Sequence, residues 1–285
     1  MREGKPSFTA AAVAAARGIA RVDPLAMALV GGPLSFVMRV GRVGKGPAAV
    51  VNLATLGLVD HIEMRTLAID AALREATEAG VRQLVVLGAG LDARAWRMPE
   101  LAGTHVFEVD HPSTQAYKRD RVGERSPAAK NVTFVAVDFA KDSLLEAMEG
   151  AGHDATAPTF WLWEGVTPYL PLEAIRATLA AIASRSAKGS RIAVTYGTPE
   201  GSPLGATAVR AARFAFRVIG EALVGLLSPE AMHAELADVG FRLLEDLSAE
   251  DWGKRFGGGK RRFLFVDEHL AVALTDGPLR ASRAA

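Results

Sequence analysis

Five short apolar runs alternate with helix-compatible stretches from residue 83 to residue 197, and this rhythm constrains the chain more than any other feature. The runs are QLVVLG (83–88), THVFEVD (104–110), VTFVAVD (132–138), TFWLWEG (159–165) and SRIAVTYG (190–197). Their near-continuous apolar character is what a strand needs when both of its faces are buried, as in a parallel sheet covered by helices. The helix-compatible stretches are 112–122, 142–150 and 171–187, the last opening PLEA with proline in a favourable first-turn position. The pattern predicts an α/β fold built from βαβ units.

Both flanks extend this core. Downstream, SPEAMHAELADVG has Ser228 as a cap, Pro229 in the first turn and Gly240 past the end, the marks of a helix. Two late runs, FRLLEDLS (241–248) and RFLFVDEHL (262–270), flank the glycine-rich GKRFGGGKRR and are expected to pair as an antiparallel hairpin. The result is a seven-stranded, mostly parallel sheet with a late antiparallel strand. Residues 198–227 are predicted to be a helical insertion over the sheet, and residues 276–285 a frayed tail. Residues 1–79 form a helical prelude: Ser7 to Ala20, an interrupted apolar segment 24–59, and a long helix HIEMRTLAIDAALREATEAG. The prelude is expected to pack on the core of residues 80–275 and to serve as a lid, with a dimer surface as the alternative use of its apolar residues.

Composition removes several classes of function. The 285 residues carry 33 Lys+Arg against 32 Asp+Glu, a net charge of +1, too balanced to make nucleic acid or an anionic membrane the default partner. Absence of cysteine excludes disulfides, thiolate metal sites and a cysteine nucleophile. Arg17 and Arg21 interrupt the Ala-rich N-terminus where a secretory signal would need an uncharged core. The apolar runs 24–38 and 46–59 fall short of the ~18 to 20 residues that span a bilayer. A cytoplasmic monomer or homodimer acting on a small molecule is the working expectation. His61, His105 and His111 lack metal-ligand spacing, so no metal is expected.

The chemistry concentrates in LVVLGAGLDARAWRM, where a buried strand runs into Gly88, Ala89 and Gly90 and then a helix-compatible stretch. Gly88, Gly90 and Ala93 fit G-x-G-x-x-A, whose glycines let the backbone approach a ligand. Asp110 ends the second strand 22 residues after Gly88, where a carboxylate can accept hydrogen bonds from ribose hydroxyls; otherwise it is a turn residue before His111 and Pro112. Asp138 and Glu164 end the third and fourth runs, so three successive strands deliver carboxylates to one sheet edge. Asp138 could accept from an adenine amino group or cap a helix, and Glu164 could hold a ligand ammonium or pair with arginine. Trp161 and Trp163 read as core, and GGGKRR (257–262), lacking the context of a phosphate loop, as a basic turn.

GAGLDARAWRM, FEVDHPSTQAYKRDRV, VAVDFA and WEGVTPYLP together resemble the leucine carboxyl methyltransferase-like branch of the class I S-adenosylmethionine (AdoMet)-dependent methyltransferases, well over residues 60–190 and in outline at both ends. The resemblance implies a Rossmann-like class I fold with AdoMet as cofactor. It places Gly88, Ala89 and Gly90 along the methionine part, Asp110 at the ribose, and Asp138 with Phe139 at adenine. Many relatives carry leucine where Phe139 stands, but either residue can pack on a purine. By the same resemblance Glu164 lies near the methionine amino group, Arg65 pairs with its carboxylate, and Arg17 is a candidate lid residue.

The implied reaction is O-methylation, of a carboxylate or a hydroxyl on an apolar small molecule such as a polyketide-type acid, with a protein C-terminus as the second acceptor. A carboxylate acceptor is ionised at neutral pH and needs no general base; for a hydroxyl, the candidates are Tyr196, His233 and Asp251. Two alternatives remain open, an NAD(P)-dependent oxidoreductase using the same glycine turn and acid, and a non-catalytic scaffold. Replacing Asp110 tests the cofactor reading: Asp110→Ala is expected to weaken AdoMet binding by about 1 to 3 kcal/mol through lost charge-assisted hydrogen bonds. Unchanged affinity by calorimetry in a folded variant would remove Asp110 from the site.

Overall fold

Side chains of β1 (Gln83–Leu87) alternate between two cores, as the period of two requires. Leu84 and Val86 join Met64, Ile69 and Leu73 of α5 (Leu58–Glu78) on one face of the sheet. Val85 and Leu87 join Ile175, Leu179 and Ile182 of α9 (Leu172–Ser184) on the other. The same alternation runs through β4 (Thr159–Trp163), with Phe160 and Leu162 on the α5 side and Trp161 and Trp163 on the α9 side. Both tryptophans are core residues, as expected.

This computed structural model describes residues 7–139, 141–199, 210, 222–257 and 267–277. Within them the sheet has seven strands in the order β3-β2-β1-β4-β5-β7-β6. The remaining strands are β2 (His105–Asp110), β3 (Asn131–Ala136), β5 (Arg191–Gly197), β6 (Phe241–Ser248) and β7 (Glu268–Thr275). β1 to β5 pair in parallel, and β7 runs antiparallel to both of its neighbours. The Rossmann-like expectation holds. Strand order reverses between β1 and β4, and the C-terminal ends there open the crevice in which such sheets bind ligands.

Three of the sequence boundaries need correction. β7 spans Glu268–Thr275, running past the expected end at residue 270, and lies between β5 and β6; residues 262–266 of the expected strand lie outside the described residues. Central burial rewards the continuous apolar run LAVAL, which the expected segment only touched. The residues between β6 and β7 are not all turn, because Ala249–Arg255 form a helix, α11, that takes in Gly253 to Arg255. Its N-terminus is a reciprocal box in which Ser248 Oγ accepts from Asp251 N and the Asp251 carboxylate from Ser248 N. β3 ends at Ala136, which leaves Asp138 beyond the strand. Most of the insertion expected at 198–227, the segment 258–266 and most of the expected tail lie outside the described residues.

The prelude resolves into α1 (Phe8–Ala20), α2 (Ala26–Leu29), α3 (Gly32–Arg42), α4 (Lys45–Ala54) and α5. Its apolar cluster joins Ala15, Ile19, Leu29, Met38 and Ile62 to Leu91 and Ala93 from the turn after β1, so this helical layer seats on the ligand edge of the sheet. Further helices include α6 (Arg94–Arg97), α7 (Pro112–Val122), α8 (Leu144–Gly150) and α10 (Pro229–Asp238). Among the described residues no helix is long and apolar enough to cross a membrane.

After β5 the chain returns along the loop that follows β4, where the amides of Val224 and Gly225 both donate to Pro168 O. A Cβ on Gly225 would overlap the carbonyl oxygens of Thr167 and Leu170. Gly225→Ala is therefore expected to cost about 1 to 3 kcal/mol of stability through forced backbone displacement, measured by urea denaturation.

Candidate functional site

A cavity of about 680 Å³ lies over the C-terminal ends of β1, β2 and β4, a size ordinary for a small-molecule site. Its floor is the turn from Gly88 to Asp92, with Asp110 and His111 from the end of β2. One wall is Val137 to Phe139 after β3, and another Glu164 to Val166 with Tyr169, Leu170 and Pro171 after β4. α1 supplies the roof through Ala10, Val13 and Arg17. All eight positions read from the sequence as cofactor-binding (Arg65, Gly88, Ala89, Gly90, Asp110, Asp138, Phe139 and Glu164) border this one cavity.

The glycine turn is shaped by close approach. Gly88 adopts φ +64°, and a Cβ there would stand 2.5 Å from Val166 Cγ2, so both backbone conformation and space demand glycine. Ala89 N donates to Val109 O at 3.0 Å, tying the turn to β2. The Asp110 carboxylate accepts from Gly90 N at 2.5 Å and from His111 N at 2.6 Å. Burial raises the Asp110 pKa, and these two amides oppose the shift. Asp110 thus serves as a turn residue and borders the cavity at once. The stretch after the turn contributes only the single turn α6, so the amides facing a ligand belong to a loop rather than to a long helix. Asp138 pairs with Lys141 at 3.1 Å, and Phe139 is 42% exposed beside it on the cavity wall.

Glu164 sits at the centre of a buried ion cluster. Its Oε1 accepts from Arg17 Nη2 at 2.6 Å and Arg65 Nε at 2.9 Å, and its Oε2 from Arg94 Nη1 at 2.8 Å. Arg94 also binds Asp92, and its Nε reaches Asp70 at 2.8 Å. Arg65 Nη1 reaches both oxygens of Glu268 at 3.0 Å, and His61 Nε2 closes on Glu268 at 2.7 Å. Burial works against every charge here. For Glu164 the Arg17, Arg94 and Arg65 guanidiniums outweigh it and hold the carboxyl well below the usual range. For Glu268 burial is likewise overcome, by Arg65 and His61, and the value falls to about 2. Arg65 Nη2 also stands 2.9 Å from Glu164 Oε1, so three guanidiniums engage both Glu164 oxygens.

Asp92, Arg94 and Glu268 were missed as site residues, and Arg17 was placed only as a lid. Asp92 and Arg94 sat in plain view two residues apart in GLDARAW, but their partners Asp70 and Glu164 are distant in sequence. The three expected base candidates lie elsewhere. Tyr196 is buried in the core, and its hydroxyl donates to Asp246 Oδ2 at 2.5 Å. His233 Nε2 meets the same oxygen at 2.5 Å, with His269 Nδ1 at 3.1 Å from Oδ1. Burial and the Asp246 carboxylate push the Tyr196 pKa up, which disfavours its service as a base. Asp251 is spent in the α11 cap, and none of the three borders the cavity. Among the described residues no cluster of His, Cys, Asp or Glu is fit to hold a metal.

The profile of the leucine carboxyl methyltransferase family matches residues 9–183, more than half of the chain. The chain belongs to that family. A relative from Streptomyces coelicolor, named as a candidate S-adenosyl-L-methionine-dependent methyltransferase, is 44% identical over 144 residues, covering 50% of each chain. A similarly named protein from Mycobacteroides abscessus is 39% identical over 206 residues, 68% of this chain and 65% of its own. The chain thus spans half to about two thirds of the length of these relatives. A crystal structure from Thermobifida fusca, titled as a candidate methyltransferase, aligns over 96% of both chains with TM-score 0.62 and 16% identity. A family DUF574 protein from Streptomyces avermitilis aligns over 95% of this chain and 98% of its own, with TM-score 0.64 and 14% identity. At such identities the two structures establish a shared fold.

The ion cluster of this family member carries a pH signature. The folded pKa of Glu268, about 2, lies below the ~4.3 of an unfolded glutamate. The unfolded chain therefore binds the proton first on acidification, and stability present above about pH 4.3 is lost as pH falls toward 2. Glu268→Gln is expected to be less stable at neutral pH, by about 3 to 5 kcal/mol for breaking a buried pair, and to lose less stability on acidification. Denaturation midpoints measured across that pH range give both effects.

Proposed function

We propose that the chain is an AdoMet-dependent O-methyltransferase that esterifies a carboxylate, or methylates a hydroxyl, of an apolar small molecule such as a polyketide-type acid. The observation that carries this reading is the placement of Asp110: in a member of this family, at the strand-order switch, its carboxylate holds the Gly90 amide on the floor of a cavity large enough for cofactor and acceptor.

The donor set fits the cofactor. Four carboxylates (Asp92, Asp110, Asp138 and Glu164) border the cavity with two guanidiniums, a surplus of negative charge that suits a sulfonium cation. Gly88 and Gly90, both at positive φ, form the tight turn that brings the backbone to the cavity floor. When bound, AdoMet supplies a methyl group already activated for transfer. The chain's own residues then have positioning tasks, the effect worth up to roughly 7 to 11 kcal/mol in favourable cases. Asp110 would receive the ribose hydroxyls, Phe139 would pack on the purine with Asp138 beside it, and Glu164 would accept from the amino group. Arg65 and Arg17 would flank the amino-acid carboxylate. α1 acts as the lid, excluding water and fastened by the Arg17–Glu164 pair.

The acceptor space is framed by Val13, Val166, Tyr169, Leu170 and Ala174, which suits an apolar molecule. A carboxylate acceptor accords with a cavity rim whose acidic groups are already engaged and where Tyr196, His233 and Asp251 take no part. Family membership favours this reading over an NAD(P)-dependent oxidoreductase.

Isothermal titration with AdoMet, S-adenosylhomocysteine and NADH in parallel tests the proposal. The expected outcome is micromolar binding of the first two and none of NADH, followed by methyl transfer in an acceptor screen of apolar acids and phenols. Binding of NADH alone would overturn it. Binding of AdoMet with no transfer to any acceptor would point to the non-catalytic scaffold.

A further inference from the structure

The balanced net charge conceals a strong local asymmetry. Residues 1–59 carry seven Lys/Arg and two Asp/Glu, whereas the rest of the chain carries 26 and 30. From residue 24 to residue 59 there is no acid at all, while Arg39, Arg42 and Lys45 supply three cations. This stretch is the α3–α4 hairpin, and its outer face is apolar. Phe36 (66%), Val43 (79%), Val50 (67%) and Leu53 (66%) are exposed together, with Val37 and Val40 partly open beside Phe36. Phe36, Val40 and Val43 recur at the helical spacing of four and three, so they share one side of α3. The opposite side, with Met38 and Gly41, packs on α1 and is spoken for.

We propose that the α3–α4 hairpin docks this protein on the surface of an anionic lipid bilayer, its valines, Phe36 and Leu53 entering the headgroup boundary and Arg39 and Lys45 meeting lipid phosphates. Apolar residues on one side with cations at the flank are the makeup of an interfacial helix. Charge complementarity selects this occupant over a second copy of the chain. Two copies meeting symmetrically through this face would bring the same cations together with no carboxylate from residues 24–59 to offset them, and the adjacent Asp60 carboxylate is already engaged by the Asn52 side-chain amide at 2.7 Å. The hairpin sits in the layer whose α1 roofs the cavity, so a docked molecule would hold that roof at the membrane surface. Resting on the proposed function, this narrows the acceptor to amphiphilic acids or phenols that partition into membranes.

Vesicle flotation of the full chain, without AdoMet, tests docking apart from the methyltransferase reading. The protein is expected to float with phosphatidylcholine–phosphatidylglycerol vesicles, weakly with phosphatidylcholine alone, and less at high salt. Arg39→Glu with Lys45→Glu removes two surface cations and is expected to lower partitioning at least tenfold, on the basis of roughly a kilocalorie per cation near such a surface. Phe36→Gln with Leu53→Gln leaves the charge unchanged and is expected to reduce partitioning by a similar factor. All four side chains are exposed, and circular dichroism of each variant verifies folding. Equal flotation with neutral and anionic vesicles would overturn the proposal. So would a dimer, seen by light scattering, that both double variants dissolve and that does not float.

Discussion

Everything at the ligand edge is organised by the buried carboxylate of Glu164. A charge taken out of water costs several kcal/mol unless it is paired and hydrogen-bonded, and Glu164 meets that demand with three guanidiniums from three different parts of the chain. Arg17 comes from α1, Arg65 from α5 and Arg94 from α6, just after the glycine turn. Through Arg65 the cluster reaches Glu268 at the start of β7, and through Arg94 it reaches Asp92 and Asp70. The prelude, the first βα turn, β4 and the last strand are thereby fixed relative to one another. The net stability gain of such a cluster is modest; what it secures is arrangement, because no partner can leave without stranding a buried charge.

Around that centre the sheet satisfies two opposite requirements. Its interior strands are apolar on both faces, which fastens them between helix layers, yet their C-terminal ends must present polar groups where strand order reverses. The chain meets both by letting the second, third and fourth runs end at an acid, Asp110, Asp138 and Glu164. Asp110 is tied down by the amides of Gly90 and His111, so the same group that shapes the turn also faces the cavity. The helical prelude then encloses the edge from above. Its buried side completes the roof, and its unburied side carries the basic, apolar hairpin face that gives the molecule a second surface with a distinct physical character.

The central strands and the position of the glycine turn were legible because a strand buried on both faces writes itself as a continuous apolar run, and a positive φ writes itself as glycine. Gly88 is the clearest case, since it is required twice over, by its φ and by the side chain of Val166. Less legible was the late region. RFLFVDEHL reads as a strand that ends at Leu270, but β7 runs on to Thr275, because the place it fills between β5 and β6 rewards the apolar residues after Glu268. The capped helix α11 was overlooked for a related reason: its Ser-Ala-Glu-Asp start is a strong local signal, but the adjacent glycines read as a turn. Tyr196 and His233 looked like free candidates in the sequence, whereas Asp246, 50 and 13 residues away, engages both.

The sequence by itself determined the α/β class, the edge of the sheet at which a ligand would lie, and three of the four acids that line the cavity there, because each depends on short-range pattern: period two, period 3.6, and glycine where φ is positive. Tertiary structure alone decided what those acids are joined to. Arg17 meets Glu164 across 147 residues and Arg65 meets Glu268 across 203, and no local rule relates such positions. It also decided which apolar residues of the prelude are core and which are surface. Met38 and Val40 are two residues apart and equally apolar, yet one is packed against α1 and the other stands in solvent, a difference set by which face of α3 the neighbouring helix happens to cover.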